Sequence, residues 1–363
     1  MMSDIGKIDP NLAVSGTIGE TQVLFYDVCH APFRVYGLLP PGSGEPWHRL
    51  PPELARQVNP GVATLYTRTA GGRVRFRTDS DCVAIRSIKA SCDLMPHMPF
   101  LGSDGYDLYT VEDENWRYCG SFKPPIGATD SYEAIIQLDG RKMRDLVIHF
   151  PLYSGVKELY VGVAPDAQVL PGGSYRTEKP VVYYGSSITQ GGCASRPGNG
   201  YSNMISRKLN VDHINLGFSG NAKGELILAD YIAQLPMSVF FMDYDHNAPD
   251  PDWLAATHEP FFLRIRQAQP ELPIILASQT DYVMTAQHGQ NIEKRRQVVL
   301  KTYHNALARG DKNVYFIDGR EVFKRAEKLG LGPEACTVDG CHPNDLGFAC
   351  MAEAFAEVIA QVL

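Results

Sequence analysis

The sequence predicts an α/β protein in two parts. An all-β sandwich of jelly-roll type comes first, and a three-layer α/β/α domain with a parallel sheet follows it. From about residue 15 to 165, short segments alternate apolar and polar residues between Gly, Pro and Asp. After residue 180, compact apolar runs alternate with amphipathic stretches of helical length. Between them, residues 171–180 (PGGSYRTEKP) resemble a linker, so we place the domains at 1–175 and 176–363.

Period-2 alternation in the first part is clearest at Arg73-Val74-Arg75-Phe76-Arg77, a pattern typical of half-buried strands. Long helical patterns are scarce here, which favours antiparallel sheets. The predicted strands are Gln22–Tyr26, Phe33–Gly37, Arg73–Thr78, Cys82–Ile88, Tyr132–Leu138, Leu146–His149 and Leu159–Val163.

In the second part each apolar run has four or five residues, which suits strands buried on both faces of a parallel sheet. The predicted strands are Val181–Tyr184, His213–Leu216, Ser238–Met242, Ile274–Ala277 and Val314–Ile317. The predicted helices are Tyr201–Leu209, Leu226–Gln234, Trp253–Gln267, Ile292–Arg309 and Leu346–Leu363. Because the site of an open α/β sheet forms beyond the carboxyl ends of its strands, the residues after each strand are the place to look for chemistry.

The composition of the 363 residues is that of a globular protein, with 44% hydrophobic and 21% charged residues. The net charge of −7 argues against a nucleic-acid or anionic-membrane partner, since both usually require a basic face. No apolar run approaches the roughly 20 residues that span a bilayer. We therefore expect neither nucleic acid nor membrane as a partner.

The N-terminal residues MMSDIGKIDPNLAVSG lack the basic start and apolar stretch of a secretory signal, which predicts a cytoplasmic location for the chain as it stands. Trimming of the cloned sequence would leave a periplasmic or secreted location open. The eight cysteines form no C-x-x-C pair, and we expect free thiols.

Small and polar residues follow four of the predicted strands. The segments are 185–189 (GSSIT), 217–221 (GFSGN), 243–247 (DYDHN) and, before the last helix, 339–344 (DGCHPN). Together they contain a hydroxyl, a glycine turn, a side-chain amide, a carboxylate and an imidazole. Those are the groups that acyl transfer needs: a nucleophile, oxyanion donors, a base and a residue that orients the base.

The expected catalytic residues are Ser187 as nucleophile, His342 as its base and Asp339 as the group that orients the imidazole. The backbone N–H of Gly220 can approach a developing oxyanion closely, because glycine has no side chain. The Asn247 amide and the Ser187 N–H complete the expected oxyanion donors.

The four segments, in this order, resemble the conserved blocks of the SGNH hydrolase superfamily, the GDSL-like lipases and acylhydrolases. The resemblance covers roughly residues 180–363 and implies a flavodoxin-like α/β/α domain. It implies that Ser187 is the block-one nucleophile, that Gly220 and Asn247 are the oxyanion residues of blocks two and three, and that Asp339 and His342 form the final D-x-x-H pair.

Two positions depart from the family pattern. Ser186 stands where the first block usually has Asp, as in a G-S-S-I-T-Q-G variant of a GDSL subgroup, and Ala248 stands where the third block often has Asp. Residues 105–109 (GYDLY) resemble the G-x-D-L-Y signature of the segment that precedes this subgroup's hydrolase domain. We interpret Asp107 as a structural residue that hydrogen-bonds a turn, with Leu108 and Tyr109 entering a strand, and substrate contact is the alternative interpretation. Esterases that pair a β-sandwich with an SGNH domain often remove acetyl groups from carbohydrates, so the resemblance implies that activity.

Other residues near these blocks are candidates for a substrate pocket, with loop hydrogen bonding as the alternative interpretation. They are Asp245, His246, Arg196 and Asn199. Zinc sites usually show paired ligands at tight spacings, which are absent here, so we predict no metal. No dinucleotide-binding or Walker glycine motif occurs either, and we predict no cofactor.

The sequence thus predicts a serine esterase for short acyl groups, acetyl above all, on a small-molecule or carbohydrate ester. Two alternatives remain open: a carbohydrate-binding protein whose hydrolase half is inactive, and an acyltransferase or thioesterase on the same fold. The latter shares the acyl-enzyme and differs only in the acceptor. The oligomeric state is not predicted.

Overall fold

The computed structural model describes residues 14–42, 44–113 and 115–363. Most of the N-terminal segment interpreted above for a signal, residues 1–13, lies outside them. Contacts divide the chain into two compact units. The first contains the described residues up to Arg49, with Thr67–Tyr175 and Ser195–Gly198, and the second contains Leu50–Tyr66, Arg176–Ala194 and Asn199–Leu363. The main division after Tyr175 falls where the sequence analysis places the boundary.

The first unit consists mainly of antiparallel strands. Its strands are β1 (Val14–Ile18), β2 (Thr21–Asp27), β3 (Arg34–Tyr36), β4 (Arg73–Thr78), β5 (Cys82–Ser91), β6 (Tyr106–Glu112), β7 (Asn115–Phe122), β8 (Ser131–Gln137), β9 (Arg144–His149), β10 (Gly155–Val163) and β11 (Val169–Pro171). A short helix, α3 (Phe100–Asp104), precedes β6.

These strands form two sheets, ordered β1-β2-β10-β5-β8 and β11-β4-β9-β6-β7, with β3 paired to β4. Both sheets contribute to one apolar core, in which Val83 and Ile85 of the first sheet join Phe76 and Leu108 of the second. The sequence analysis did not predict the β6–β7 hairpin as two strands. A register shift after Leu108 interrupts its alternation, and such a bulge hides the period-2 pattern.

The second unit is built on a parallel sheet with the order β13-β12-β14-β15-β16. Its strands are β12 (Val181–Gly185), β13 (His213–Gly217), β14 (Val239–Asp243), β15 (Ile274–Ala277) and β16 (Val314–Ile317), each within a residue of its prediction. This order belongs to the doubly wound folds, whose ligands bind where the strand order reverses. That switch point lies between β12 and β14.

Helices cover both faces of this sheet. They are α1 (Pro52–Val58), α2 (Pro60–Leu65), α4 (Ser187–Gln190), α5 (Tyr201–Leu209), α6 (Leu226–Ile232), α7 (Pro251–Ala268), α8 (Ala286–Ala308), α9 (Gly319–Val322) and α10 (Asp345–Val362). On one face Phe241 of β14 packs against Phe355 of α10, and on the other Tyr184 of β12 stacks on Phe261 of α7. No helix among the described residues combines the length and the apolar character needed to cross a membrane.

The segment Leu50–Tyr66 departs from the predicted boundaries, because it belongs to the second unit. Val62 is fully buried in the core of that unit. The Asn59 side chain donates to the carbonyl of Asn221 at 3.0 Å and to Glu225 Oε1 at 2.6 Å. These contacts lie more than 150 positions away along the chain, so local patterns carry no sign of them.

Candidate active site

Three of the predicted residues form a continuous hydrogen-bonded chain in the second unit. Ser187 Oγ lies 3.0 Å from His342 Nε2, and His342 Nδ1 lies 2.7 Å from Asp339 Oδ2. Each imidazole nitrogen therefore faces one partner, the arrangement in which a carboxylate selects the tautomer that accepts a serine proton.

The position of Ser187 follows from the turn between β12 and α4. A Cβ on Gly185 would lie 2.0 Å from Thr189 Oγ1, so only glycine allows this close approach. The Ser186 hydroxyl caps the helix, accepting from the N–H of Ile188 at 3.1 Å. Ser and Asp are both strong N-cap residues, which accounts physically for Ser186 in place of the family's Asp. Ser187 is thereby placed in the first turn of α4.

Asp339 and His342 are held in a short closed loop before α10. The carbonyl of His342 accepts from the N–H of Val338 at 2.9 Å, and Gly340 supplies the left-handed turn between them with φ of 88°. Asp339 Oδ1 accepts from the N–H groups of Cys341 and His342 at 3.0 and 2.7 Å. Partial burial opposes ionisation of Asp339, but the hydrogen bonds from His342 and the backbone outweigh it and lower its pKa.

The loop after β13 presents Gly220 in an exposed position with φ of 68°, a conformation that favours glycine. Gln190, at the end of α4, holds this loop by accepting from the N–H of Ser219 at 3.0 Å. Asn247 lies in the short 3₁₀ turn after β14 and donates to the carbonyl of Phe218 at 2.8 Å. Hydrogen bonds therefore connect Asn247 to the loop that contains Gly220, and connect that loop to α4.

A cavity of about 420 Å³ brings these residues together, with Ser187, Gly220, Asn247 and His342 in its lining. The rest of its lining includes a group that we call the polar wall. The polar wall consists of His246, Gln279, Asp281, His288, Asn291 and Arg295. Buried and half-buried charged and amide groups of this kind favour a polar ligand, because an apolar one would leave them unpaired.

The pocket candidates Asp245 and His246 differ in location. Asp245 is buried, and its Oδ2 accepts from the N–H of Gln279 at 2.9 Å, so it shapes the loop. His246 lines the cavity, with its Nε2 2.6 Å from Asp281 Oδ1. Burial alone would lower the pKa of His246, but the carboxylates of Asp281 and Asp245 raise it well above its usual value. In turn, the charge of His246 and its hydrogen bond lower the pKa of Asp281, although burial of that carboxyl group would raise it.

Asp243, at the end of β14, is buried near the serine helix. Its Oδ2 accepts from Thr189 Oγ1 at 3.3 Å and from Tyr201 Oη at 3.2 Å, which links α4 to α5. Burial, above all, raises the pKa of Asp243 to about 7, although the charge of His246 opposes this. Asp243 therefore holds α4, the helix that contains Ser187, through a buried hydrogen bond.

The two other pocket candidates have other partners. Arg196 belongs to the first unit, where its Nη1 donates to Asp107 Oδ2 at 2.8 Å and its guanidinium lies 4.2 Å from the ring centroid of Tyr118. Asn199 donates to Asp345 Oδ2 at 2.8 Å. A substrate-binding role for either residue stays a prediction.

The G-x-D-L-Y segment also acts structurally within the first unit. Asp107 is fully buried and accepts from His149 Nδ1 at 2.8 Å and from the N–H of Gly198 at 2.9 Å, in addition to Arg196. The Tyr109 hydroxyl accepts a hydrogen bond from Arg196. These contacts agree with the interpretation of Asp107 as structural, although its partners are side chains and a backbone group far along the chain.

Sequence reasoning missed most of the polar wall. Gln279 and Asp281 directly follow β15, the one strand of the sheet whose carboxyl end was not considered. The rule that located the other four segments would have found these two. His288, Asn291 and Arg295 lie on α8, and only the fold brings that helix to the cavity.

The second unit combines a parallel α/β sheet with a hydrogen-bonded serine–histidine–aspartate chain that begins at its switch point, which is the arrangement of a serine hydrolase. Residues 178–360 match the GDSL-like Lipase/Acylhydrolase family, and residues 23–169 match the family described as the N-terminus of Esterase_SGNH_hydro-type. The chain belongs to the GDSL-like lipase/acylhydrolase family and carries the GxDLY segment before its hydrolase domain.

Solved structures with the same fold include three informative relatives. A protein from Bacteroides ovatus ATCC 8483, described as a GDSL-like lipase, is 27% identical with a TM-score of 0.83, over 94% of this chain and 98% of that one. A salicylyl-acyltransferase from a tetracycline biosynthetic pathway is 20% identical with a TM-score of 0.73, over the same shares. An acetyl xylan esterase from Butyrivibrio proteoclasticus is 12% identical with a TM-score of 0.56, over 93% and 98%. No curated protein matches the sequence significantly.

Proposed function

We propose that this protein is a serine esterase that hydrolyses short-chain acyl esters, chiefly acetyl esters of carbohydrates, through an acyl-enzyme. The observation that carries the proposal is the Ser187–His342–Asp339 hydrogen-bonded chain, with donor-acceptor distances of 3.0 and 2.7 Å, of which Ser187 and His342 line a polar cavity. Membership of the acylhydrolase family supports the reaction class.

In the first half-reaction, Ser187 Oγ attacks the ester carbonyl while its proton passes to His342 Nε2. Asp339 holds the Nδ1–H and stabilises the imidazolium that forms. His342 then donates its Nε2 proton to the alkoxy oxygen, the C–O bond of the ester breaks, and the alcohol leaves.

The negative charge that develops on the carbonyl oxygen requires hydrogen-bond donors at a fixed position. We assign this role to the N–H of Gly220, the Asn247 side-chain amide and the N–H of Ser187. The bond from Asn247 to Phe218 uses one of its two amide hydrogens and orients the group before substrate arrives. In the second half-reaction, water attacks the acyl-enzyme with His342 as base, and the carboxylic acid leaves Ser187.

The substrate class is inferred from the size and chemistry of the cavity. The polar wall presents the His246–Asp281 pair and the amides of Gln279 and Asn291, which can exchange hydrogen bonds with hydroxyl groups. A long alkyl chain against these groups would remove their solvation without replacing it. Carbohydrate esterases among the structural relatives support a sugar as the alcohol, within the limits of a shared fold.

The Asn247→Ala variant is expected to lower kcat for p-nitrophenyl acetate by roughly 10²–10³-fold, the usual effect of losing one oxyanion donor. Its KM should change little, because the donor acts mainly on the transition state. Asn291→Ala is the matched control, since it removes the same group from the same cavity. Equal kcat losses in both variants would contradict the oxyanion assignment.

Purified protein assayed on p-nitrophenyl acetate, butyrate and octanoate, and on acetylated xylo-oligosaccharides, tests the substrate class. We expect kcat/KM for acetate to exceed that for octanoate by roughly tenfold or more, because the polar wall penalises a longer chain. Octanoate turnover equal to that of acetate would contradict the proposal, and acetate release from p-nitrophenyl acetate but not from the oligosaccharides would contradict the carbohydrate part.

An acyltransferase is the second candidate, because the salicylyl-acyltransferase has the same fold. Both activities share the acyl-enzyme and differ in the acceptor that attacks it. Product analysis with and without a competing sugar alcohol separates them. Free acid as the main product in both mixtures supports hydrolysis, whereas acylated sugar as the main product supports transfer.

A further inference from the structure

Three side chains in the cavity carry the kinds of donor atom that bind zinc in proteins. His246, Asp281 and Cys341 come from different loops, and their ligand atoms lie within 4.8 Å of one another. Imidazole nitrogen, carboxylate oxygen and thiolate sulfur are the three donor types of protein zinc sites. The linear spacing of these residues matches no zinc motif, so only the fold reveals the set.

We propose that His246, Asp281 and Cys341 form an inhibitory zinc site in the catalytic cavity. That zinc binds here does not depend on the proposed function, whereas its inhibition of ester hydrolysis rests on that function. Three protein ligands leave one position of a tetrahedral ion open to water, as in zinc sites that exchange with solvent.

The exchange of protons for the ion balances in charge. His246 and Asp281 form an ion pair with 2.6 Å between Nε2 and Oδ1, and Cys341 is a free thiol. On binding, the Nε2–H and S–H bonds break, nitrogen and sulfur coordinate Zn²⁺, and two protons pass to solvent. Before binding, the imidazolium, carboxylate and thiol have a net charge of zero. After binding, Zn²⁺ with the imidazole, carboxylate and thiolate also has a net charge of zero.

Neighbouring groups hold the central carboxylate in place. Asp281 Oδ2 accepts from Gln279 Nε2 at 3.1 Å and lies 3.3 Å from His288 Nε2. Such outer partners orient a metal-binding carboxylate and sustain its affinity. Gln279 Oε1 is buried in the same wall and has no hydrogen-bond partner within the described part of the chain. A buried oxygen without a partner is costly and points to a ligand at this position.

The thiol decides which ion the site prefers. Mg²⁺ and Ca²⁺ select oxygen donors, whereas a set with one sulfur, one nitrogen and one oxygen suits Zn²⁺. Because Cys341 directly precedes His342 and both line the cavity with Ser187, an ion here occupies space that the ester needs. We therefore expect Zn²⁺ to compete with substrate.

Titration of untagged protein with Co²⁺, a spectroscopic substitute for Zn²⁺, tests the binding directly. We expect one equivalent to bind with a sulfur-to-cobalt charge-transfer band, and Zn²⁺ to displace it. Cys341→Ser should lose the band, and Asp281→Asn should bind at least roughly tenfold more weakly, since even outer-shell changes cost about 10- to 100-fold. Cys29→Ser, which alters an exposed thiol of the first unit, is the matched control and should behave as wild type.

Esterase assays with and without Zn²⁺ test the inhibition, as the ratio of the two rates within each variant. Zinc should lower the wild-type rate at limiting substrate, a chelator should restore it, and Cys341→Ser should be less sensitive. Circular dichroism establishes whether each variant is folded. If Cys341→Ser does not fold, the loss of metal affinity and of zinc inhibition is measured on Asp281→Asn instead. The absence of a sulfur-to-cobalt band in wild type, or an unchanged Co²⁺ affinity in the two variants, would overturn the proposed zinc site. A protein that binds Co²⁺ through Cys341 but hydrolyses no ester would instead overturn the proposed function alone.

Discussion

The Ser187→Ala variant is expected to lower kcat for p-nitrophenyl acetate by about 10⁴-fold or more, because no acyl-enzyme can form without the hydroxyl. Stability should stay near that of wild type. The Ser187 side chain is partly exposed, and the helix cap is made by Ser186 and not by Ser187. The measurement is kcat by steady-state kinetics together with the melting temperature of the folded protein.

Ser15→Ala is the matched control, since it removes an exposed hydroxyl from β1 in the first unit. A fluorophosphonate probe should label wild type and the control stoichiometrically and leave Ser187→Ala unlabelled. Retained turnover in Ser187→Ala would refute the nucleophile. Absence of labelling and turnover in folded wild type would favour the alternative of an inactive carbohydrate-binding protein.

The Asp339→Asn variant should lower kcat by roughly 10³–10⁴-fold while preserving the local fold. The asparagine oxygen can still accept from the N–H groups of Cys341 and His342, which keeps the loop closed. Its NH₂ group then faces His342 Nδ1, where the carboxylate stood. The imidazole must accept at Nδ1 and carry its proton on Nε2, so it cannot accept the Ser187 proton.

Asp252→Asn, an exposed position in the first turn of α7, makes the same chemical change away from the cavity and should keep wild-type kinetics. Asp339→Ala adds a second comparison, because it loses the contacts to the loop backbone as well and should also lower the melting temperature. If Asp339→Asn kept more than about a tenth of wild-type kcat, the orientation of His342 would not depend on this carboxylate.

Local patterns predicted most of the secondary structure. The strand Ile274–Ala277 and the helix Tyr201–Leu209 have the predicted bounds, because four buried apolar residues or one amphipathic period are properties of a short stretch. The hairpin Tyr106–Phe122 was missed, since a bulge shifts its alternation. The jelly-roll connectivity and the sugar specificity stay predictions.

The proposed nucleophile could be named from sequence because Ser187 follows β12 of a parallel sheet, whereas Asp339 and His342 precede α10 and were named from the resemblance of their segment to the D-x-x-H pair. Carboxyl ends of parallel strands meet at one edge of a sheet, which is where Ser187 lies. The loop before α10 reaches the same place, so that His342 meets Ser187 although the two are 155 positions apart. The affiliation of Leu50–Tyr66 with the hydrolase unit had no such signal. Its contacts depend on which apolar surfaces remain uncovered after the sheet and helices have packed.

By itself the sequence indicated two parts of different periodicity and the order of most strands and helices, because periodicity and turn chemistry act over about ten residues. The proposed serine, histidine and aspartate were named from the resemblance of their short segments to the family's blocks. Only the tertiary structure decided that Asp281 of the polar wall meets His246 and Cys341, and that Asp107 holds Arg196. Such contacts join residues far apart in the chain, and their geometry is set by the packing of whole elements and not by any local pattern.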